Sequence, residues 1–559
     1  AIILLFCIVL FVFAYYWYGK VIQKKLSGIH PENVTPAQSI NDKRDYVPTK
    51  PTILFGHHFS SIAGAGPIVG PILAFSMFGW LPAMLWVLVG SVFIGAVHDY
   101  SALMISSRNK GISIVQLSGD IISKKARVVF GGFVWITLLL LQAVFADLTA
   151  KTLSEKPEIV IPTGGLILIA LAFGFSIYKL QINNALATIV SIVLLIVLVV
   201  LGDMYPIKLS YEFWLGFAFV YCLIAATIPV WVLLQPRDYI SMYLLIIGIL
   251  FGIISLFVMQ PTINAPAYTS FTFNNIPLFP MLFITVACGA ISGFHSIVGS
   301  GTTAKQLRYE KDGKAVAFGS MLTEGLLALM VILLISSVLV WSPQLPAYCE
   351  GFIFQDLLQQ SSNIVFGTAF GVATESLGVP LYLGIAFGVL MLNAFILTSL
   401  DTSVRLSRYI VQETLGAKYG KFFRNRYVAT VGTLVLSYIL TLTNGYKIIW
   451  PLFGTANQLI ATIALFLISI YFLGLRKNRW YTLIPAIFML IVTQAALFYQ
   501  VFWDYLPKGN IFLSVISGLL FFLEFVLVYD VFKKIKIKYF DDINKDNDEK
   551  DTFILKHAN

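Results

Sequence analysis

Apolar stretches of about 20 residues recur from one end of this chain to the other, the length that the hydrocarbon core of a bilayer asks of a spanning helix. In lipid every backbone polar group must be satisfied internally, which leaves only helical bundles and closed β-barrels as spanning folds. A barrel would show polar and apolar residues in alternation, and the chain has no such pattern. The expected fold class is therefore an all-α polytopic membrane protein. Composition agrees: 12% of the 559 residues are charged and 58% are hydrophobic, against about 25% charged in a soluble protein.

Hydropathy marks about fifteen spans. The first is 1–18. Seven follow, at 52–75, 80–106, 128–150, 161–178, 185–202, 212–234 and 239–259. Seven more lie at 278–303, 315–341, 378–400, 427–443, 448–473, 480–503 and 511–532. The amphipathic stretch 352–376 reads as a surface or re-entrant segment. Counted over alternate loops, 33 of the 38 Lys and Arg residues fall on one side, as cytoplasmic loops require. This predicts an outside N-terminus and a cytoplasmic C-terminus. Lys20, Lys24 and Lys25 follow the first apolar run rather than precede it, the wrong polarity for a cleaved signal. That run is expected to be a spanning helix, and the Ala at position 1 suggests a trimmed start. The net charge of +10 then faces anionic lipid headgroups, and no nucleic acid partner is needed. Cys7, Cys222, Cys288 and Cys349 have neither disulfide nor zinc spacing.

Two distant segments nearly coincide. "FSSIAGAGP" at Phe59–Pro67 and "FHSIVGSGT" at Phe294–Thr302 share F-x-S-I-x-G-x-G at an offset of 235 residues. Seven spans separate them. Seven is odd, so the copies enter the membrane from opposite sides, which predicts an inverted-topology repeat. "NNALATI" (Asn183–Ile189) echoes "NQLIATI" (Asn457–Ile463) at the same separation in spans. Small-residue helix packing would also use such glycines. The sharper expectation is that both helices break at Gly-x-Gly, and that the freed N–H and C=O groups build a substrate site with Asn457 and Gln458 nearby. The candidate substrate-binding residues are His57, His58, Ser60, Ser61, Gly64, Gly66, His295, Ser296, Gly299, Ser300, Gly301, Asn457 and Gln458.

Ionisable groups inside the spans are few, and such groups are costly unless paired or functional. Asp99, Glu324 and Asp401 fall toward the cytoplasmic ends of their helices, with His98, Gln235, Arg237, Asp238, Lys305 and Arg405 at similar depth. They are the candidates for proton coupling and for an inner gate of ion pairs. Asp99 is favoured as the coupling group, because His98 adjoins it and no basic residue lies within four positions. Asp401 and Arg405 stand at i,i+4, where a plain helix pair is the competing reading. Asp147 reads as a solvated residue near the outer surface. His57, His58 and His98 could instead bind metal, although no spaced ligand motif supports it.

Longer motifs then carry a resemblance. "GHHFSSIAGAGPIVGP", "VHDYSALMISSRNKG", "PVWVLLQPRDYI", "SGTTAKQL", "LTSLDTSVRLSRY" and "WPLFGTANQLIAT" resemble the carbon-starvation protein A (CstA) family of bacterial inner-membrane transporters. The chain has "HDY" where many members have "HDF". The resemblance implies proton-coupled uptake of small nutrients, peptides and pyruvate among them. It also implies kinship with the amino acid–polyamine–organocation superfamily, hence a LeuT-like five-plus-five inverted core with extra helices.

The expected organisation is a helix and cytoplasmic loop at 1–51, a first repeat with two extra helices at 52–277, a second at 278–532, and a basic cytoplasmic tail at 533–559. The expected function is secondary active import of small carboxylate-bearing nutrients across the bacterial inner membrane, by proton symport or with Na⁺ as the coupling ion. Small-molecule substrate and membrane lipid are the expected partners, and oligomeric state is left open. No G-x-x-x-x-G-K-[ST] is present, so ATP-driven transport by this chain is excluded. No enzymatic activity, and no cofactor beyond the coupling ion, is expected. A channel and a metal-dependent intramembrane protein are the alternatives.

Overall fold

Proline and glycine mark the first interruption inside an apolar helix of this chain, at Ala63–Ala65. The computed structural model describes residues 1–27, 33–43, 45–341, 352–443 and 446–557. Among the described residues, twelve helices are long and apolar enough to cross a membrane. Two shorter apolar helices are Tyr211–Thr227 and Arg426–Leu442. The chain is a multi-pass helical membrane protein. Its outward surface carries large apolar side chains such as Leu168, Ile196, Phe213, Ile254 and Phe522, as lipid in place of water requires.

Burial separates an inner bundle from a periphery. Lys447–Gly474 is 94% buried over its most apolar window, Glu310–Val338 89%, and Pro51–Phe78 and Leu381–Gly416 83% each. Ile2–Leu26 is only 28% buried, Asn184–Met204 33%, and Trp480–Tyr505 and Ile511–Lys536 39% each. The candidate site residues lie on the inner set and on the segments packed against it.

Two broken helices form the centre. The first starts at Pro51, with Lys50 extended before it, a position where the missing N–H of proline costs nothing. It runs Pro51–Ile62, loses helical geometry over Ala63–Ala65 and resumes as Gly66–Phe78. The second runs Leu278–Thr285, opens over 286–292 and resumes as Gly293–Gly301. They are antiparallel. Val47 N and Thr49 N, just before the first, donate to Lys305 O (3.2 Å) and Gln306 O (3.1 Å), just past the second. At the other end Gly70 abuts the Thr285 carbonyl. The breaks themselves touch, since a Cβ at Gly66 would overlap Cys288.

Several sequence expectations change here. The second copy of the shared motif does not break its helix: Gly299 lies inside Gly293–Gly301, and the interruption precedes the motif, at "VACGAIS". The two copies therefore occupy different registers relative to their breaks. The echo at Asn183 also has another role, because its side chain caps Asn184–Met204 by accepting from Ala185 N, whereas Asn457 lies within Tyr446–Gly474. Gln235–Asp238 is no loop but the buried first turn of Leu234–Met259. Asp401–Tyr419 continues the long Leu381–Tyr419 helix. The 352–376 stretch forms helices Phe354–Gln360 and Ser362–Glu375, with 362–374 wholly buried against the bundle, which excludes the surface alternative. Cys349 lies outside the described residues.

Candidate functional site

A helix break inside lipid exposes backbone groups that need partners, and side chains of three other helices supply them. Asn457 Oδ1 accepts from Phe294 N at 2.8 Å, and Asn457 Nδ2 donates to Ser292 Oγ at 3.0 Å. Gln458 Nε2 donates to Phe283 O at 2.5 Å. One turn of Tyr446–Gly474 thus holds the carbonyl end of one half-helix and the amide end of the other. Trp86 Nε1 donates to Val286 O (3.0 Å) within the same break. At the first break Ser399 Oγ donates to Ser61 O (2.9 Å), and Gly64 leaves room for that serine and for Phe145.

Around the breaks stand four histidines, all fully buried, each with one ring nitrogen engaged. His57 Nδ1 meets Asp238 Oδ2 at 2.7 Å, and His58 Nδ1 meets Thr303 Oγ1 at 2.8 Å. His98 Nδ1 meets Asp99 Oδ1 at 2.7 Å, and His295 Nδ1 meets Asp99 Oδ2 at 2.8 Å. All four Nε2 atoms are buried without a hydrogen-bond partner. His295 Nε2 faces Glu324 Oε2 at 3.3 Å, a charge-pair distance without hydrogen-bond alignment. Neither Glu324 oxygen has a hydrogen-bond partner. The helices bearing Asp99 and Glu324 are each preceded by a wider π-helical turn, Ser91–Gly95 and Lys314–Gly319, a feature frequent at functional sites. Gly95 lies against the Ala290 carbonyl, where a Cβ would come to 2.5 Å, so the second break rests directly on the helix carrying Asp99.

A second cluster centres on Arg237. Its guanidinium pairs with Asp401 through both terminal nitrogens, with Asp238 Oδ1 at 2.7 Å, and with the Tyr221 hydroxyl. Tyr221 in turn donates to Asp401 Oδ2 at 2.9 Å. The cluster thus sets one guanidinium against two carboxylates, with His57 Nδ1 on the far oxygen of Asp238. Gln235 Nε2 donates to Gln306 Oε1 (2.6 Å) and Thr49 Oγ1 (3.3 Å), tying together the start of the first broken helix and the end of the second.

Other expected residues have different tasks. Asp401 does not pair with Arg405, four residues on. Arg405 Nη2 instead donates to Ala225 O (2.9 Å) and Ile228 O (2.5 Å), capping the C-terminus of Tyr211–Thr227. Lys305 contacts no carboxylate closely and lies over the rings of Tyr409 (4.6 Å) and Tyr46 (5.5 Å). Asp147 is not solvated. It is 1% exposed and bound by Lys151 Nζ (3.1 Å) and Tyr211 Oη (2.8 Å).

Serine hydroxyls are mostly committed to backbone: Ser60 to Asp238 O, Ser296 to Gly293 O and Ser300 to Ser296 O. Ser61 Oγ alone among these four is buried and unpartnered. Gly299 leaves ordinary space beside His58 and Leu103, while Gly301 lets Leu406 approach. His57, His58 and His98 do not form a group with ligand spacing among the described residues. Among the described residues, the group with ligand spacing is Cys288, His295 and Glu324, whose ligand atoms lie within 4.8 Å of one another.

Comparison with known proteins bears on what this geometry serves. The family model described as Carbon starvation protein CstA matches residues 1–377 and 357–496. The chain belongs to the CstA family.

Curated relatives of this CstA-family chain are transporters by name. A peptide transporter CstA of Campylobacter jejuni is 34% identical, covering 87% of this chain and 78% of its own length. The peptide transporter CstA of Bacillus subtilis is 33% identical, covering 92% of each. The pyruvate/proton symporter BtsT of Escherichia coli is 32% identical, covering 88% and 80%. Among solved structures, a manganese transporter of Eremococcus coleocola aligns over 89% of this chain and 99% of that chain at 11% identity, with a TM-score of 0.49.

Sequence reading of this CstA-family protein missed Cys288, Thr303, Tyr221 and Ser399. Thr303 lay in a quoted motif, "SGTTAKQL", but its partnership with His58 crosses 245 residues. Cys288 and Tyr221 carried no spacing signal at all.

Proposed function

We propose that this protein is a secondary active importer of small carboxylate-bearing nutrients, driven by proton symport across the bacterial inner membrane. The observation that carries the reading is the pairing of two antiparallel broken helices, with touching breaks, among four buried imidazoles whose Nε2 atoms are unpartnered. Such atoms are costly in a finished core, and they suit a site that takes up a polar ligand in part of its cycle. The chemistry of the relatives' named cargoes, peptides and pyruvate, fits the same choice. Both present a carboxylate, which protonated imidazoles and half-helix N-termini attract.

In this reading substrate binds between the breaks, against His57, His58, Ser61, His295 and the space beside Gly299. Asn457 and Gln458 act as positioning residues. Coupling resides in His98, Asp99, His295 and Glu324, and the Arg237–Asp401–Asp238 cluster with Gln235 forms the inner gate. The twelve long spans, the two short apolar helices and the second broken helix together make fifteen crossings. The N-terminus is outside, and residues 52–277 and 278–532 are inverted repeats, each carrying extra helices. Uptake of labelled pyruvate and of a labelled dipeptide into proteoliposomes with an alkaline lumen tests the proposal. Accumulation above the external concentration of either is expected, and equilibration of both without accumulation would contradict it.

A further inference from the structure

The His295–Glu324 contact joins two groups that both offer lone pairs. With Nδ1–H donated to Asp99 Oδ2 at 2.8 Å, a neutral His295 keeps the lone pair on Nε2. That atom faces Glu324 Oε2 at 3.3 Å, and both Glu324 oxygens and His295 Nε2 are buried without a hydrogen-bond partner. Cys288 brings a sulfur to the same point. A proton between His295 and Glu324 would have no use for it. A soft cation would.

We propose that Cys288, His295 and Glu324 form a binding site for a divalent transition-metal cation of the zinc class, at the break of the second broken helix. The donor set matches that chemistry, since sulfur, imidazole and carboxylate are zinc's protein ligands, with a fourth position left open. All three residues are at least nine-tenths buried: Glu324 and His295 are 0% exposed and Cys288 5%.

Their ligand atoms lie within 4.8 Å of one another. Zinc bonds of about 2.0–2.3 Å would draw them to about 3.5 Å. Cys288 lies on a non-helical segment and Glu324 is held by no hydrogen bond, so both can move inward. On binding, Cys288 releases its thiol proton, and Glu324 the proton it carries in the metal-free protein, to solvent as the metal–sulfur and metal–oxygen bonds form. One thiolate and one carboxylate then balance the 2+ charge, leaving the buried group neutral.

The surroundings are those of a supported ligand set. Asp99 holds the far nitrogen of His295, the carboxylate–histidine arrangement that fixes tautomer and ring orientation at metal sites. Asn457 Nδ2 points at Cys288 Sγ from 3.7 Å, a donor for a thiolate. One consequence rests on the symport reading: a bound metal occupies Glu324 where coupling needs a proton, so zinc should arrest uptake. The binding itself does not depend on that reading.

The test uses the full-length protein, purified without a polyhistidine tag, stripped with chelator and titrated with Co²⁺ and then Zn²⁺. About one equivalent of metal is expected, with a near-ultraviolet thiolate-to-cobalt band that Zn²⁺ removes. Cys288→Ser should lose the band and bind at least about tenfold more weakly. Should that variant fail to fold, zinc should slow alkylation of Cys288 in the unaltered protein, read by mass spectrometry. No stoichiometric metal at micromolar Co²⁺ and Zn²⁺ would overturn the proposal. So would a cobalt band unchanged by Cys288→Ser, or alkylation of Cys288 indifferent to zinc. Absence of any uptake by zinc-free protein would sink the symport reading and leave the metal count standing.

Discussion

His295 stands between two carboxylates that are treated differently by their neighbours. Asp99 accepts from His98 and His295, whereas Glu324 faces His295 Nε2 at 3.3 Å without a hydrogen bond and has Cys288 nearby. A buried carboxylate without a hydrogen-bond donor is costly unless a proton or cation joins it. In the symport reading proposed above, the proton passes between Glu324 and His295, with Asp99 fixing the imidazole. Asp99→Asn removes the fixing charge. It should preserve exchange of labelled for unlabelled substrate and abolish pH-driven accumulation. Accumulation at the unaltered rate would remove Asp99 from the mechanism.

At the Arg237 cluster the expectation is one of stability. Removing one partner of a buried ion pair costs about 3–5 kcal/mol, so Arg237→Met should lower the unfolding temperature in detergent sharply. Arg405→Ala, which loses a helix cap and a 3.7 Å contact with the half-buried Asp45, should cost less, about 1–2 kcal/mol, and leave the pH dependence of uptake unchanged. Equal effects of the two substitutions would mean the Arg237 network is not the stronger constraint. Asp401 was legible in the sequence as a costly residue. Its true partner was not, because Arg237 lies 164 positions away and a helical i,i+4 arginine was at hand.

Among elements, the first break was readable and the second was not. At Ala63–Ala65 the interruption coincides with Gly64, Gly66 and Pro67, residues that unwind a helix by their own chemistry. At 286–292 the sequence is "VACGAIS", with a single glycine. There the break is imposed by partners on other helices, Asn457, Gln458 and Trp86, which satisfy the freed backbone. Tertiary contacts of that kind leave no local signature. Asn457→Ala should leave Phe294 N without its side-chain acceptor and remove one donor to Ser292 Oγ, and cost about 1–3 kcal/mol, read as a lower unfolding temperature. Asn457→Asp, which keeps the acceptor for Phe294 N, should recover part of the loss. No loss in Asn457→Ala would show that the break holds itself.

Over the whole molecule, the lysine and arginine count gave an orientation that side-chain packing does not address. The loop Asn274–Asn275 caps the Thr272–Pro277 hairpin and lies outside in the proposed topology, while Lys125 lies inside. Single cysteines placed at Asn274 and Lys125 in intact cells should differ, the first reacting with an impermeant maleimide and the second not. Reaction of both from outside would reverse or break the topology. The helical class and the inner position of the motif-bearing segments followed from hydropathy and from the scarcity of charge. The division between a well-buried core and an exposed periphery did not, because both are equally apolar and differ only in what they pack against.

The central claim is that substrate and proton enter together through the paired breaks. It is tested most directly by recording labelled substrate and lumenal pH at once, in proteoliposomes with no imposed pH gradient. Pyruvate or dipeptide, whichever is carried, should acidify the lumen as it enters, in fixed proportion to substrate and not at all in protein-free vesicles. Asp99→Asn should exchange substrate without that acidification. Substrate entry with no accompanying proton in the unaltered protein would contradict the account.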